Sequence, residues 1–279
     1  MRLPAVAGRF YPGDRDSLVD SIELCFRHPL GPGMPGDTGS DRTIRAAMAP
    51  HAGYMASGMN AAHTYRAIKE DGLPEVYVII GPDHYGYSPG VTVCPESYLT
   101  PMGECKIHEG ICSSLLDEPF IHASKHPMEH SVEVHVPFIQ YIDPDPLIVP
   151  IVMGDQSPAS AQRLASAILR ACKGIDAMVI ASTDMSHYIP KTEAERLDSA
   201  VLDCVYRMDV EDMYRVVLGR RVSMCGYGPT AVAITYAGDA VAEGILHTDS
   251  YDSLGMDPAS VVGYASARFR ARRWKNTKP

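Results

Sequence analysis

The sequence has no C-x-x-C pair, although it contains seven cysteines. Zinc knuckles and thioredoxin-type redox motifs need such closely spaced pairs, so neither is expected. The cysteines are odd in number and scattered, which favours a reducing compartment where most of them act as small buried apolar groups. They are Cys25, Cys94, Cys105, Cys112, Cys172, Cys204 and Cys225.

Positive charge and long apolar runs are also scarce. The formal net charge is -9, so nonspecific electrostatic binding to nucleic acid or to an anionic membrane is not expected. The apolar runs are too short to span a bilayer, and the N-terminus lacks the charged-then-apolar pattern of a secretory signal. We therefore expect a cytoplasmic protein that binds neither nucleic acid nor membrane.

The sequence does contain a large apolar fraction, distributed over alternating strand and helix patterns. Hydrophobic residues make up 46% of the 279 residues, which is enough for a substantial core. Because no repeat or linker interrupts the pattern, we predict a single α/β domain over 1–279, with a central, mostly parallel sheet flanked by helices and a frayed tail at 270–279. Strands are predicted at 44–49, 76–80, 91–93, 147–152, 177–181, 244–248 and 261–268, with a turn over 97–103.

Helices are predicted from periodic apolar residues and from residues that favour helix ends. Asp16 is expected to cap a helix over 17–27, and Ser57 a second helix. Pro158 is expected to open another, because proline suits the first helical turn. The segment 129–140 fits both a strand and a helix, and we predict a helix. Further helices are predicted at 107–116, 192–208, 210–218 and 230–241.

Polar, titratable residues follow three of the predicted buried strands. His51 follows the first strand, and His84 follows the second after a Gly-Pro turn. Asp184 and His187 follow the fifth strand. Because open α/β sheets bind ligands at the carboxyl ends of their strands, we expect these four side chains to share one site.

Two of these histidines and one cysteine are candidates for a metal site. His51, His84 and Cys225 offer two imidazoles and a thiolate, which suit iron, copper or zinc better than magnesium or calcium. Glycines and a helix start follow Cys225, and such an environment favours the thiolate. Taken singly, each residue is better explained as a histidine bonded to backbone or as a buried structural cysteine, and only the two histidines at matching strand ends make the metal interpretation equally good. Spacing does not connect Cys225 to the two histidines.

Two other polar groups have both a functional and a structural interpretation. Asp184 can orient His187 as a general acid or base, or it can cap the next element while His187 packs. Glu129, His130 and Glu133 can contact a substrate or form an ion-paired polar wall. The residues alone leave these alternatives open.

Ordered motifs extend along nearly the whole chain. They are Val6-Ala-Gly-Arg-Phe-Tyr-Pro12, Pro50-His-Ala-Gly-Tyr54, Gly81-Pro-Asp-His84, Thr100-Pro-Met-Gly103, Glu129-His-Ser-Val-Glu133, Ser182-Thr-Asp-Met-Ser-His-Tyr188, Cys225-Gly226 and Val262-Gly-Tyr264. Together they resemble the Memo family, whose fold is similar to that of class III extradiol dioxygenases, non-haem iron enzymes that open catechol rings. The resemblance implies a class III extradiol dioxygenase-like fold for this chain.

The resemblance also implies roles for particular residues. His51, His84 and Cys225 match the metal-ligand positions of the family, and Asp184 and His187 line the same cleft as candidate catalytic residues. The dioxygenases hold iron with two histidines and a carboxylate, whereas a thiolate is softer and oxidisable, so ring cleavage does not follow from the fold. The candidate substrate contacts are Tyr54, Glu129, His130 and Glu133.

The implied activity is that of a metal-dependent, dioxygenase-like oxidoreductase acting on an unidentified small molecule. Iron or copper is the implied metal, and zinc is the other option. Radical-SAM and AMMECR-type proteins are the implied partners, because they accompany microbial relatives. Two alternatives use the same cleft: a non-catalytic peptide-binding, ligand-binding or signalling module, and a hydrolase with Cys225 as nucleophile and His187 as base.

Overall fold

The computed structural model describes residues 1–272, and one mixed sheet runs through this part of the chain. Its strands are β1 (Ile44–Ala49), β2 (Val76–Pro82), β3 (Val91–Val93), β4 (Tyr98–Thr100), β5 (Gly103–Ile107), β6 (Ile121–Ala123), β7 (Leu147–Met153), β8 (Ala177–Ser182), β9 (His187–Ile189), β10 (Val241–Asp249) and β11 (Val261–Arg270). The α/β class predicted from the sequence is confirmed.

The order of the strands across the sheet is β10-β11-β1-β8-β2-β7-β3-β6. The central strands β1, β8, β2 and β7 are parallel to one another. Strands β11 and β3 join this centre antiparallel, on β1 and β7 respectively. The sheet is therefore parallel at its centre and joined antiparallel on either side, while the edge strand β6 pairs parallel with β3.

Helices cover both faces of the sheet. A π-helical turn, Tyr54–Gly58, precedes α2, and a 3-10 turn, Glu133–His135, precedes α4. No helix within residues 1–272 is long and apolar enough to cross a membrane. The helices are α1 (Arg15–Arg27), α2 (Met59–Asp71), α3 (Glu109–Leu116), α4 (Val136–Ile142), α5 (Pro158–Ala171), α6 (Lys191–Tyr206), α7 (Val210–Gly219), α8 (Tyr227–Ala237) and α9 (Ser250–Leu254).

The strand β2 shows why the centre of the sheet is apolar on both sides. Val76, Val78 and Ile80 pack into the core beneath α5, α6, α7 and α8. Tyr77 and Ile79 point the other way, into the core beneath α1, α2 and α4. Because successive side chains of a strand point to opposite faces, only a continuous apolar run can occupy this position.

Two predicted helix caps are wrong. The carboxylate of Asp14, not that of Asp16, accepts the backbone N–H of Ser17, so α1 begins earlier than predicted. The Ser57 hydroxyl donates to the carbonyl of Ala52 and caps no helix. The π-helical turn before α2 instead passes directly into the helix.

The helix predicted over 129–140 forms only in its second half. The Glu129 carboxylate accepts the backbone N–H groups of His130 and Ser131, which replaces helical hydrogen bonds and keeps this stretch irregular. The α-helix begins at Val136, with Pro137 in its first turn, where proline needs no N–H partner.

Three other segments differ from their predictions. The helix predicted at 230–241 ends at Ala237, because Gly238 with φ 64° terminates it and β10 follows. The turn predicted at 97–103 contains β4, which pairs with β5. Arg270 belongs to β11 rather than to a tail, and residues 273–279 of the predicted tail lie outside the described residues.

Candidate metal centre

Three adjacent strands bring three predicted site residues to one edge of the sheet. The strands β1, β8 and β2 are parallel neighbours, so their carboxyl ends lie side by side. His51, Asp184 and His84 each stand two residues beyond the end of one of these strands. The strand-end argument made from the sequence therefore places them correctly.

Cys225 reaches the same edge from the turn before α8. Its backbone N–H donates to the Asp184 carbonyl at 3.2 Å, and that of Gly226 donates to Thr183 Oγ1 at 2.9 Å. A Cβ on Gly226 would lie 2.3 Å from the Ser182 carbonyl oxygen, so only glycine permits this approach. The Cys225-Gly pair is thus what lets the turn dock against β8.

The two histidines and the cysteine form one compact group of donor atoms. One ligand atom from each of His51, His84 and Cys225 lies within 4.8 Å of the other two. The Cys225 sulfur is 3.2 Å from His51 Nε2, and the two imidazole rings are nearly perpendicular, with centroids 5.0 Å apart. These separations are close to what bonds of about 2.0–2.3 Å to one shared ion require.

The carboxylate of Glu129 fixes the tautomer of His84. Glu129 Oε1 lies 2.9 Å from His84 Nδ1, and Oε2 accepts the His84 backbone N–H at 2.7 Å. Burial alone would raise the pKa of Glu129, but these hydrogen bonds and the neighbouring His84 charge lower it to about 2. Because an ionised carboxylate only accepts hydrogen bonds, the neutral form of His84 carries its proton on Nδ1 and has its lone pair on Nε2.

A buried chain of hydrogen bonds fixes His51 in the same way. Ser182 Oγ donates to the carbonyl of Ser131 at 2.5 Å, which uses its only proton. The Nδ1 of His51, at 2.6 Å, and the Nε2 of His135, at 2.8 Å, must therefore both donate to that hydroxyl. His135 Nδ1 then accepts from Tyr65 at 2.7 Å. His51 is left with a bare Nε2 beside the thiol.

The pKa shifts of two of the three donors, His51 and Cys225, are compatible with a bound cation. Burial, followed by repulsion from neighbouring histidines, holds the pKa of His51 well below its usual range, so the ring is neutral. Burial and then the charge of Asp184 raise the pKa of the Cys225 thiol. A cation reverses the second effect, since a coordinated thiol loses its proton. The residues present therefore fit a transition metal.

Asp184 and His187 flank this group. Asp184 Oδ1 accepts the His51 backbone N–H at 2.8 Å, and burial raises the pKa of its carboxyl group. His187 Nδ1 donates to the Ser223 carbonyl at 2.9 Å, which leaves Nε2 free to accept a proton. Each therefore has a second atom available for proton transfer.

His130 borders the metal group without belonging to it. Its ring stacks on His84 at 4.5 Å and meets the edge of Phe10 at 4.7 Å. Burial, and then repulsion from His84, lower its pKa to about 4. Ligand atoms of His130, His84 and Glu129 also lie within 4.8 Å of one another, so this wall is continuous with the centre.

Glu133 and Tyr54, two of the candidate substrate contacts, use their polar atoms to stabilise the fold. Tyr54 is buried, and its hydroxyl donates to the carbonyl of Val134 at 2.8 Å. Glu133 is fully buried and holds the N-terminal segment in place. Neither has a polar atom left over for a substrate. The donors to the Glu133 carboxylate are the Arg2 guanidinium, the Tyr11 hydroxyl and the backbone N–H groups of Ala5 and Val6.

Sequence reasoning missed several residues that support the centre. Ser182 opens a motif recognised in the sequence, yet nothing in its spacing indicates that it bonds two histidines. His135 and Tyr65 carry no signal, because a buried histidine paired to a tyrosine has the pattern of an ordinary core. Arg2, two residues from the start of the chain, reaches Glu133 over a separation that only the tertiary fold creates.

Comparison with known proteins gives this geometry its context. A family model described as Memo-like protein matches residues 2–268. The chain belongs to the Memo family. A MEMO1 family protein of Methanobrevibacter smithii is 40% identical over 97% of this chain and 100% of its own length. Another, from Methanothermobacter thermautotrophicus, is 42% identical over 95% of this chain and 99% of its own length.

One solved structure shares the fold of this Memo family chain. It is that of the uncharacterized protein JW3007 from Escherichia coli K12, with a TM-score of 0.52 and 13% sequence identity. The match covers 80% of this chain and 99% of the other. At this identity the likeness shows the fold alone.

Proposed function

We propose that this Memo family protein binds a transition metal through Nε2 of His51, Nε2 of His84 and Sγ of Cys225, and uses it in a redox reaction on a small molecule. The observation that carries the proposal is the hydrogen bonding behind the two rings. The Nδ1 of each imidazole is held by a hydrogen bond, His51 Nε2 lies 3.2 Å from the Cys225 sulfur, and one ligand atom of His84 lies within 4.8 Å of both. Metal-binding histidines in proteins are oriented in this way by their second nitrogen.

The donor set favours iron or copper, with zinc as a further option. Imidazole and thiolate together are too soft for magnesium or calcium, which prefer oxygen ligands. When bound, the metal would supply a Lewis acid and, for iron or copper, a centre that can change oxidation state. The three protein donors leave other coordination positions for a substrate.

The neighbouring residues are suited to bind and move protons around such a substrate. His187 can accept a proton on Nε2, because Ser223 holds its Nδ1–H. The carboxyl group of Asp184 is buried and fixed against the backbone of His51, so it can hold a proton near neutral pH. The ring of His130 forms one wall and limits the access of water from that side.

A second candidate function is that of a cysteine hydrolase, and one distance favours it. The Cys225 sulfur lies 3.2 Å from His51 Nε2, which is the spacing of a nucleophile and its base. The base would then be His51 rather than the His187 expected from the sequence. However, burial disfavours the charged forms of both partners, so the pair stays a neutral thiol and imidazole without a cation.

The remaining parts of the proposal rest on the family resemblance. We propose a cytoplasmic location, with radical-SAM and AMMECR-type proteins as partners. A non-catalytic module that binds a peptide or small ligand in the same cleft is the third candidate. Co-purification of tagged protein with these two partner classes tests the association independently of any metal chemistry.

Metal analysis tests the metal-dependent function against the other two candidates. The protein is purified without oxygen and titrated calorimetrically with Fe(II), Cu(I) and Zn(II). We expect one equivalent of metal in the wild type and none after His51→Ala or Cys225→Ala. The matched control is His122→Ala, which removes an exposed histidine on β6 and should bind metal like the wild type.

Two results would contradict the metal proposal. One is wild-type protein that takes up no metal while Cys225 is trapped by a thiol-directed electrophile, which would favour the hydrolase. The other is metal uptake that survives both Cys225→Ala and His51→Ala, which would place the ion elsewhere.

A further inference from the structure

The buried carboxylate of Asp198, on α6, has no part in the proposed chemistry. It contacts the segment between Asp184 and His187, the two residues proposed to carry protons. Asp198 is completely buried. Its Oδ1 accepts both the backbone N–H of Ser186, at 3.0 Å, and the Ser186 hydroxyl, at 2.5 Å. Its Oδ2 lies 3.3 Å from Nε2 of His247, a residue of β10. Ser186 is the residue directly before His187.

The same short segment is held from its other side by β11. The Met185 N–H donates to the Gly263 carbonyl at 2.8 Å, and the Gly263 N–H donates to the Ser186 carbonyl at 2.8 Å. A Cβ on Gly263 would lie 2.1 Å from Asp198 Oδ2, so no larger residue fits while Asp198 stays in place. This contact explains why the Val262-Gly-Tyr264 motif contains a glycine.

These contacts constrain two residues that sit between Asp184 and His187. Met185 and Ser186 are joined to β11 and α6 by four hydrogen bonds, and none of the four involves a metal donor or its direct partners. The backbone of this segment has little conformational freedom, because a buried N–H that lost its acceptor would lower the free energy of unfolding. The directions of the Asp184 and His187 side chains depend on this backbone.

We propose that Asp198 is a positioning residue for the candidate catalytic pair, acting through Ser186 and Gly263. This proposal rests on the proposed function, since it concerns how the side chains of Asp184 and His187 are oriented toward the metal centre. Asp198 itself touches neither the metal donors nor the cleft. Its contribution is the acceptor Oδ1, which fixes both donors of Ser186 and so sets the position of the His187 ring.

The test compares variants that keep or remove this acceptor. Asp198→Asn retains an Oδ1 that can accept both Ser186 donors, while its amide group can donate to His247. Asp198→Ala removes the acceptor. The control is Asp71→Ala, which removes a carboxylate bonded to Thr43 and Ile44 at the opposite end of β1. The readouts are metal stoichiometry with Fe(II) and the imidazole NMR signals of His187, assigned by their loss in His187→Ala.

We expect all folded Asp198 variants to bind metal as the wild type does. In Asp198→Ala the His187 signals should shift or broaden beyond recognition, and in Asp198→Asn they should return to their wild-type positions. Asp71→Ala should leave them unchanged even where it lowers thermal stability. If Asp198→Ala does not fold, Gly263→Ala and Ser186→Ala carry the test, since each disturbs the same contacts, and each should move the His187 signals.

Other outcomes overturn the proposal. Unchanged His187 signals in Asp198→Ala, or in both substitute variants, would show that Asp198 contributes only to stability. Asp198→Asn behaving like Asp198→Ala would show that the acceptor is not what matters. Failure of the proposed function looks different: wild-type protein would bind no metal, whatever the His187 signals do in the variants.

Discussion

Glu129 holds His84 by two hydrogen bonds, one from the backbone N at 2.7 Å and one from the ring Nδ1 at 2.9 Å. Oε1 of the same carboxylate also accepts the N–H groups of His130 and Ser131, so Glu129 ties its own segment to the residue that follows β2. A single side chain therefore sets the position, the ring direction and the tautomer of one metal donor. This makes Glu129 a support for the candidate metal donor His84, and its role as a substrate contact stays a prediction.

Replacing Glu129 by glutamine should weaken metal binding without abolishing it. The amide cannot accept from both the backbone N–H and the Nδ1–H of His84, so the ring loses its fixed direction. Loss of such a carboxylate–histidine contact typically costs about 10- to 100-fold in metal affinity. Calorimetric titration with Fe(II) measures the change, and Glu96→Gln, which removes an ion pair with Lys125, is the control. Equal affinities for Glu129→Gln and wild type would contradict this role.

His84→Ala and His187→Ala should differ in what they remove. His84→Ala deletes a metal donor and should abolish binding of Fe(II), Cu(I) and Zn(II), with little effect on the fold because the side chain is partly exposed. His187→Ala should bind metal normally and lose any turnover, since Ser223 holds that ring beside the donors rather than among them. If both variants lose metal equally, His187 is a ligand and its assignment as a proton carrier is wrong.

The thiol of Cys225 should be the most accessible of the seven. The other six cysteines are buried, whereas Cys225 is partly exposed at the cleft. In metal-free protein an alkylating reagent should label Cys225 first because the other six thiols are buried, although the raised pKa of Cys225 slows the reaction. Bound metal should protect Cys225. Mass spectrometry of tryptic peptides after brief labelling measures both rates. Identical labelling of Cys225 with and without metal would argue that it is not a ligand.

Acid should destabilise the metal-free protein between pH 6.5 and pH 5, before most of its carboxylates titrate. Burial lowers the pKa of His126 and His135 to about 3 and that of His130 to about 4. Since these values lie below the unfolded value of about 6.5, the unfolded chain binds more protons and stability falls as the pH drops below 6.5. Each histidine contributes about 1.4 kcal/mol per pH unit in that window.

Urea unfolding at a series of pH values checks this expectation. The three histidines should lower the free energy of unfolding by about 3–4 kcal/mol between pH 6 and pH 5. His51, whose pKa burial also lowers, adds to this loss, and the raised pKa of Asp184 opposes it in part. His135→Gln should reduce the slope, and His122→Ala, an exposed control, should not. A free energy that stays constant between pH 7 and pH 5 would contradict the burial of these rings as neutral groups.

The ion pair between Arg2 and Glu133 should be a large contributor to the stability of the N-terminal segment. The two side chains are 1% and 0% exposed and 2.6 Å apart. Glu133→Ala would leave a buried guanidinium unpaired, which costs about 3–5 kcal/mol. Glu193→Ala, which breaks the exposed pair with Arg196, should cost less than about 1 kcal/mol. Similar losses of unfolding free energy for both variants would refute this difference.

The sequence alone determined the central strands and the edge at which the site forms. Continuous apolar runs mark strands buried on both faces, and a polar residue soon after such a run must emerge at the carboxyl end. That logic places His51, His84 and Asp184 correctly, because it depends only on the alternation of side chains and on parallel neighbours. Cys225 needed the family resemblance, since no local pattern relates it to residues far earlier in the chain.

The tertiary structure decided which polar residues serve the site and which serve the fold. Glu129 and Glu133 stand four positions apart in one motif, yet the first orients the candidate metal donor His84 and the second anchors the N-terminal segment. Sequence spacing could not separate them, because their partners come from distant segments that only folding brings together. The tautomer of His51 is likewise set by Ser182 and His135, whose contacts have no sequence signature. Local periodicity determines at which edge of the sheet a side chain lies. Hydrogen bonds to residues distant in sequence determine its orientation and its tautomer, and therefore whether it can bind a ligand.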